Sequence, residues 1–336
     1  MNEREQSSDK EMEAASSMAR ETSSWLNNKK ELLWSQMPLI ALVVLCLIAT
    51  ILSDRFLSPI NINNILIQGA VMTVIAVGMT YVIIGGGFDL SVGSTVALSG
   101  ITATWVMLET NILFGLIAGI SVGALVGLIN GWIVTKLDVN PFIATLGTMV
   151  LVRGLTFVVT DGHPIVGDEG LPELFLDFAL ARFLGVPYLV WLPIVIVIIF
   201  SWGLHYTAFG IRVFATGGNT EAAYLAGINV KRIKTSTYVW CGTLAGVGGV
   251  MLASRLQSGQ PTAGEFYELT AIAAVVLGGA SLYGGSGKLY KSVIGVFIMI
   301  VLANALNLAN VPSHWQQVAV GLVIIAAAAA DRWRHR

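Results

Sequence analysis

The sequence predicts an all-α membrane protein that crosses the bilayer about ten times. Apolar residues make up 55% of its 336 residues and charged residues only 12%, about half the ~25% common in soluble domains. Mean hydropathy is +0.76, and apolar runs near bilayer-spanning length recur between short polar segments. A core of this size in water would need charged cover that the composition lacks. The net charge of -1 offers no general basic surface to nucleic acid. The two cysteines, Cys46 and Cys241, both lie in apolar runs and form neither a disulfide framework nor a CxxC site.

The chain opens with a polar extension, residues 1–36, of mixed charge. Trp25, Leu26, Leu32, Leu33 and Trp34 place its second half along the membrane interface, where tryptophan is at home. The extension is rich in acid and no small-x-small site follows Leu52, so the first apolar run reads as a retained anchor, not a cleaved signal. Ten spans of about bilayer length then make up a transmembrane domain over 37–330: 37–52, 65–84, 94–108, 112–134, 141–160, 188–205, 235–253, 269–282, 289–308 and 316–330. The 94–108 and 269–282 runs are short and lengthen only through Gly- or Ser-containing sequence, which predicts broken or tilted helices. Residues 331–336 form a basic tail.

With the N-terminus in the cytoplasm, fifteen of the 19 Lys and Arg residues fall on the cytoplasmic side. Only Arg55, Arg182 and Arg255 fall outside, and Arg153 lies within a span. This bias places both termini inside. The long outer loop, 161–187, carries Asp161, Asp168, Glu169, Glu173 and Asp177, with Pro164, Pro172 and Pro187 breaking any long helix. It reads either as a solvated loop or as an acidic docking surface for an external partner. Spans two to five and seven to ten suggest an inverted pair, with Asn130 before Pro141 in one half and Asn304 before Pro312 in the other.

Several stretches carry chemistry. In IIGGGFDLSVGSTVALSG, residues 83–100, three glycines interrupt the helix and Asp89 follows them. Asp89 reads as an acceptor for the first amides of the next helix, or as a gate or solute contact. Gly115, Gly119, Gly123, Gly127 and Gly131, spaced by four, lie on one helical face and let another backbone approach. Asn130, Asn304, Asn307 and Arg153 bring hydrogen-bonding groups into the apolar region, as glue between helices or as a wet path. Gln257, Gln260, Thr262 and Tyr267 set neutral polar groups beside aromatic surface, which suits an uncharged polyhydroxy solute and equally an irregular helix break. The translocation path or gate is thus drawn from Asp89, Asn130, Gln257, Gln260 and Asn304.

No catalytic constellation is present. Gly284-Gly285-Ser286-Gly287-Lys288 resembles a phosphate loop only briefly, since Leu289 stands where Ser or Thr is needed and Leu282 where the first glycine belongs. The dispersed histidines, 163, 205, 314 and 335, give no metal spacing. If ATP powers this protein, another chain must bind it. The longest water-compatible segment between apolar runs is 206–234, and within it EAAYLAG reads as a short helix capped by Thr220 and ended by Gly227.

From about residue 40 onward the chain resembles the permease subunits of bacterial ABC importers for monosaccharides, the ribose, xylose, arabinose and galactose transport class. The stretches that carry the likeness are GGGFDLSVGS at 85–94, GGNTEAAYLAGINVKRIK at 217–234 and QPTAGEFYELTAIAAVVLGGASLYGGSGK at 260–288. The resemblance implies ten spans, a homodimer of permease chains, cytoplasmic ATPase partners holding ATP and Mg, as separate subunits or a tandem chain, and a periplasmic sugar-binding protein. It implies location in the bacterial inner membrane and no cofactor on this chain. Glu221-Ala222-Ala223 followed by Gly227 matches the EAA-x-x-x-G part of the coupling motif, while INVKR departs from its Ile-x-Leu-Pro ending. ATPase coupling is accordingly assigned to Gly218, Asn219, Glu221, Ala222, Ala223 and Gly227, with an alanine face lying in a groove of the motor. The expected function is ATP-driven import of a monosaccharide; the alternatives are a facilitator or secondary transporter that needs no motor, and a membrane scaffold.

Overall fold

The computed structural model describes residues 36–167 and 170–334. The extension before Gln36, Asp168 and Glu169 of the acidic loop, and the last two residues of the basic tail lie outside the described residues.

Each of the ten apolar runs forms a helix. They are α1 (Gln36–Leu52), α2 (Pro59–Ile84), α3 (Val92–Glu109), α4 (Ile112–Lys136), α5 (Pro141–Thr160), α7 (Tyr188–Tyr206), α10 (Val230–Leu256), α11 (Tyr267–Leu277), α12 (Leu289–Leu308) and α13 (Ser313–Arg334). Of these, α2, α4, α5, α7, α10 and α12 are long and apolar enough to cross a membrane on length and composition alone. The chain is an all-α polytopic membrane protein. Among the described residues three short helices accompany the others: α6 (Glu173–Leu180) in the acidic loop, then α8 (Ala208–Gly218) and α9 (Thr220–Leu225) between α7 and α10. Among the described residues, strand pairing is limited to a two-residue hairpin, Arg182–Phe183 against Val186–Pro187, and an isolated bridge between Ile165 and Gly259.

Several boundaries differ from the sequence reading; α2 begins at Pro59 and α10 at Val230, ahead of the 65–84 and 235–253 runs. The 269–282 run is helical only to Leu277, because Gly278 packs against the Lys291 and Ser292 backbone and Gly279 turns left-handed at φ 86°. At the other end, α13 continues through Arg334, so most of the basic tail extends a helix.

The burial pattern sorts the helices. Along its most apolar window α2 is 89% buried and α10 is 67% buried, whereas α7 is 17% buried and turns Ile198, Ile199 and Trp202 outward. An apolar outer surface is what a chain solvated by lipid requires. Exchanging α2–α5 with α10–α13 carries packed pairs onto packed pairs: α3 on α4 becomes α11 on α12, α4 on α10 becomes α12 on α2, and α3 on α5 becomes α11 on α13. The packing thus has the exchange pattern of a repeat.

The tightest contact is that of α4 with α3 and α10. Gly115 and Gly119 face Ala103 and Met107 of α3, and Gly123, Gly127 and Gly131 face Gly242, Gly246, Tyr238 and Thr235 of α10. A side chain on Gly131 would stand 2.9 Å from the Thr235 Cα, and on Gly123 2.7 Å from the Gly246 Cα. All five glycines of the stripe therefore serve close approach of backbones.

Alanine raises helix propensity by about 1 kcal/mol over glycine at any interior position, which isolates the packing effect. Gly127→Ala, whose methyl would press on the Tyr238 carbonyl, is expected to cost about 1–3 kcal/mol through overpacking. Its thermal midpoint in detergent should fall. Gly321→Ala, with nothing within 4 Å, should leave the midpoint unchanged or raise it.

Candidate functional site

The segment 206–234 is a chain of capped short helices. The Thr207 hydroxyl accepts from the Gly210 amide to start α8, the Asn219 Oδ1 accepts from the Ala222 amide at 2.9 Å to start α9, and the Asn229 Oδ1 accepts from the Arg232 amide at 3.0 Å to start α10. The expected Thr220 cap is corrected: Thr220 is the first helical residue, and its hydroxyl donates back to the Thr216 carbonyl at 2.9 Å. Asn219 takes the cap because its backbone is extended (φ -153°, ψ 102°). The exit of α9 is as read from the sequence. Gly227 adopts φ 80°, its amide donates to the Tyr224 carbonyl, and the Ile228 amide donates to that of Ala223, a Schellman turn.

These caps hold α9 in a fixed attitude. Gly218, Asn219, Glu221, Ala222 and Gly227 are exposed together, but Ala223 is buried against the body of the protein. The expected alanine face is therefore divided: Ala223 seats the helix, and Tyr224 (71% exposed) and Leu225 (79%) are what it presents outward. Sequence reasoning missed those two. Their signal was available, as a bulky apolar pair inside an otherwise polar segment. A cavity of about 1100 Å³ opens beside them, between the α9–α10 turn and the α4–α5 turn, with Asp138, Asn140, Asn229, Lys231 and Lys234 in its wall.

Further into the bundle, the chain leaves α2 through Gly85–Gly87, with Gly86 at φ 77°. It delivers Asp89 to a buried site, 1% exposed. One Asp89 oxygen accepts from the Ser91 amide (2.9 Å), the Ser91 hydroxyl (2.6 Å) and the Asn130 amide (3.2 Å). Asn130 also donates to the Ser91 hydroxyl at 2.8 Å, and the Tyr238 hydroxyl donates to the Phe88 carbonyl at 3.1 Å. Asp89 and Asn130 thus belong to one cluster that ties the α2–α3 turn to α4 and α10. The Asn130 Oδ1 is buried without a hydrogen-bond partner.

The other path candidates lie at the far end of α10, which by its 27 residues is about 40 Å long. Gln257 caps that helix in a left-handed conformation (φ 57°) and is exposed, while the Gln260 amide donates to the Ser258 hydroxyl at 2.9 Å. The intervening Gly259 pairs with Ile165 through two backbone bonds of 2.8 and 3.0 Å, which joins the 161–187 loop to the α10–α11 turn. Arg153 of α5 donates to the Pro261 and Ala263 carbonyls at 2.7 and 2.9 Å, so its guanidinium braces that turn. Asn304 exchanges amide bonds of 2.8 and 2.9 Å with Asn61 of α2, while Asn307 is exposed. The structure therefore gathers the five candidates into separate places: Asp89 with Asn130, Gln257 near Gln260, and Asn304 with Asn61. Among the described residues no group of three His, Cys, Asp or Glu side chains is placed to hold a metal ion.

The Asp89 cluster is testable apart from any transport role. Asp89→Leu removes the acceptor of three donors, and leaving buried donors unmet costs about 1–3 kcal/mol. Asp89→Asn retains one acceptor oxygen and should lose less. Unfolding of the purified variants in detergent should rank native above Asn above Leu; an equal midpoint for Leu and native would contradict the cluster.

Comparison with known proteins follows the same lines. The sequence matches the family described as branched-chain amino acid transport system / permease component over residues 61–328. It is 45% identical over 312 residues to the ribose import permease protein RbsC of Escherichia coli (strain K12), covering 92% of this chain and 95% of that protein. It is 47% identical over 297 residues to the ribose import permease protein RbsC of Bacillus subtilis (strain 168), covering 88% and 92%. It is 39% identical over 306 residues to the L-arabinose transport system permease protein AraH of Escherichia coli (strain K12), covering 90% and 92%. No solved structure matches the chain. The resemblance carried by residues 85–94, 217–234 and 260–288 is borne out, and the chain belongs to the branched-chain amino acid transport system / permease component family.

Proposed function

We propose that this chain is the membrane-spanning subunit of an ATP-driven, binding-protein-dependent importer that passes a monosaccharide, with ribose and arabinose the leading candidates, into the cytoplasm. The reading is supported by the ribose and arabinose permeases among its relatives. The observation that carries it is α9, a short helix capped at both ends that holds Glu221, Tyr224 and Leu225 outward. A docked partner would cover that apolar pair, and the neighbouring cavity of about 1100 Å³ gives it a second wall to grip.

In this reading two permease chains work with cytoplasmic ATPases that hold ATP and Mg, and with a periplasmic sugar-binding protein. The chain sits in the bacterial inner membrane among lipid, with both termini in the cytoplasm, consistent with the distribution of its Lys and Arg residues. It makes and breaks no covalent bond. The binding protein meets the 161–187 loop and chooses the sugar, and the permease offers a neutral polar path. Gln257, Gln260 and Asn304 stand toward the entry, while Asp89 and Asn130 form a closure nearer the cytoplasm. Opening requires the two halves to exchange which side they expose.

Glu221→Lys and Leu225→Asp change exposed side chains, so both variants should fold and reach the membrane. Retention of the ATPase and sugar uptake should each fall by about ten-fold or more, as for loss of an interface anchor. Uptake at the native rate with native expression, or uptake by the purified chain alone in liposomes, rejects the reading.

A further inference from the structure

Three glycine-bearing segments from distant parts of the chain meet at the inner end of α8. Gly217, the penultimate residue of that helix, has no room for a side chain: a methyl there would press on the Ile84 carbonyl at the end of α2 and stand 2.8 Å from the Gly285 nitrogen. Gly285, left-handed at φ 70°, donates its amide to the same Ile84 carbonyl at 2.8 Å. A methyl on Gly284 would stand 2.8 Å from the Gly217 oxygen and 3.0 Å from the Gly86 Cα. The end of α8, the α2–α3 turn and the α11–α12 turn are therefore in backbone contact with no side chain between them.

Such a contact transmits displacement differently from ordinary packing. Side chains can change rotamer and absorb a shift, whereas main chains in van der Waals contact must move together or separate, and the Gly285–Ile84 hydrogen bond ties two of the three segments directly. The junction also leads somewhere. Gly86 is three residues from Asp89, whose partners are Ser91 of the same turn and Asn130 of α4, and Gly285 is four residues from the start of α12. On its other side, Gly217 is two residues from Asn219, the cap of α9. The path from α9 to the buried Asp89 cluster is thus short and contains one non-covalent step.

We propose that Gly86, Gly217, Gly284 and Gly285 form a rigid joint that delivers displacement of α9 to the α2–α3 turn and its Asp89–Asn130 closure, so that α8, residues 85–91 and the α11–α12 turn travel as one body during transport. This rests on the reading of α9 as the motor contact. Gly321 supplies an internal comparison. It too lies inside a helix, α13, but a methyl there meets nothing within 4 Å.

The test uses the complete complex of permease, ATPase and binding protein in liposomes, with ribose and arabinose as transported probes. Gly217→Ala should retain the ATPase and hydrolyse ATP within about two-fold of native while uptake falls about ten-fold or more, and Gly321→Ala should stay within about two-fold on all three measures. Native uptake by Gly217→Ala, or an equal loss in Gly321→Ala, overturns the joint. Hydrogen exchange in the native complex covers the case in which Gly217→Ala does not accumulate. The Gly285 amide should stay protected in both the nucleotide-free and ATP-bound states, and loss of protection in either overturns the proposal. A native chain that retains no ATPase rejects the motor reading and the joint with it, a result distinct from a Gly217 variant that keeps its ATPase and transports normally.

Discussion

The approach of α4 to α10 at backbone distance is the constraint on which the bundle depends. Lipid tails are as apolar as leucine, so burying apolar surface does not drive two spans together as it would in water. What remains is close packing and hydrogen bonding, and both improve as helix axes approach. Gly123 and Gly127 on α4 meet Gly242 and Gly246 on α10, each occupying the space the other would need for a side chain. From that seam the buried position of α2 follows, because α10 packs on it, and α3 is held in the groove between α4 and α10. Helices farther from the seam, such as α7, are free to present isoleucine and tryptophan to lipid.

The turns divide the remaining work. At one end the α2–α3 turn buries its polar groups and satisfies them internally through Asp89, Ser91 and Asn130. At the other, the α10–α11 turn is braced from outside, by Arg153 of α5 and by the backbone pairing of Gly259 with Ile165. A guanidinium within an apolar span is costly unless it meets acceptors, and the two carbonyls it meets are freed only because the chain there is not helical. The break in the helix and the charge in the neighbouring span account for one another.

Most of the fold was legible. Ten apolar runs became ten helices, and the four-residue spacing of glycines on α4 announced a packing face that the structure uses throughout. The segment 206–234 was recognisable by polarity, and the end of α9 by Gly227. What was not legible depended on geometry across the chain. Asp89 and Asn130 are 41 residues apart and meet only because α3 folds back on α4. Asn219 and Thr220 are both good caps, and only the backbone conformation chooses between them. The short length of α11 follows from Lys291 and Ser292 lying against Gly278, a contact with no local signature. The alanine face was misjudged because six residues of helix make fewer than two turns, too few for periodicity to settle which side points inward.

The glycine seam also bears on how such a chain can change over time. Outward-facing leucine, isoleucine, valine and phenylalanine are nearly interchangeable where the neighbour is fluid lipid, so that surface can drift by small exchanges. Glycine has no smaller or equal substitute; every replacement adds at least one carbon where Gly123 or Gly127 already touches main chain. The inner face of α4 is thus fixed in sequence by sterics alone, and an altered residue there calls for a matching shift of the opposing helix, which no single replacement supplies.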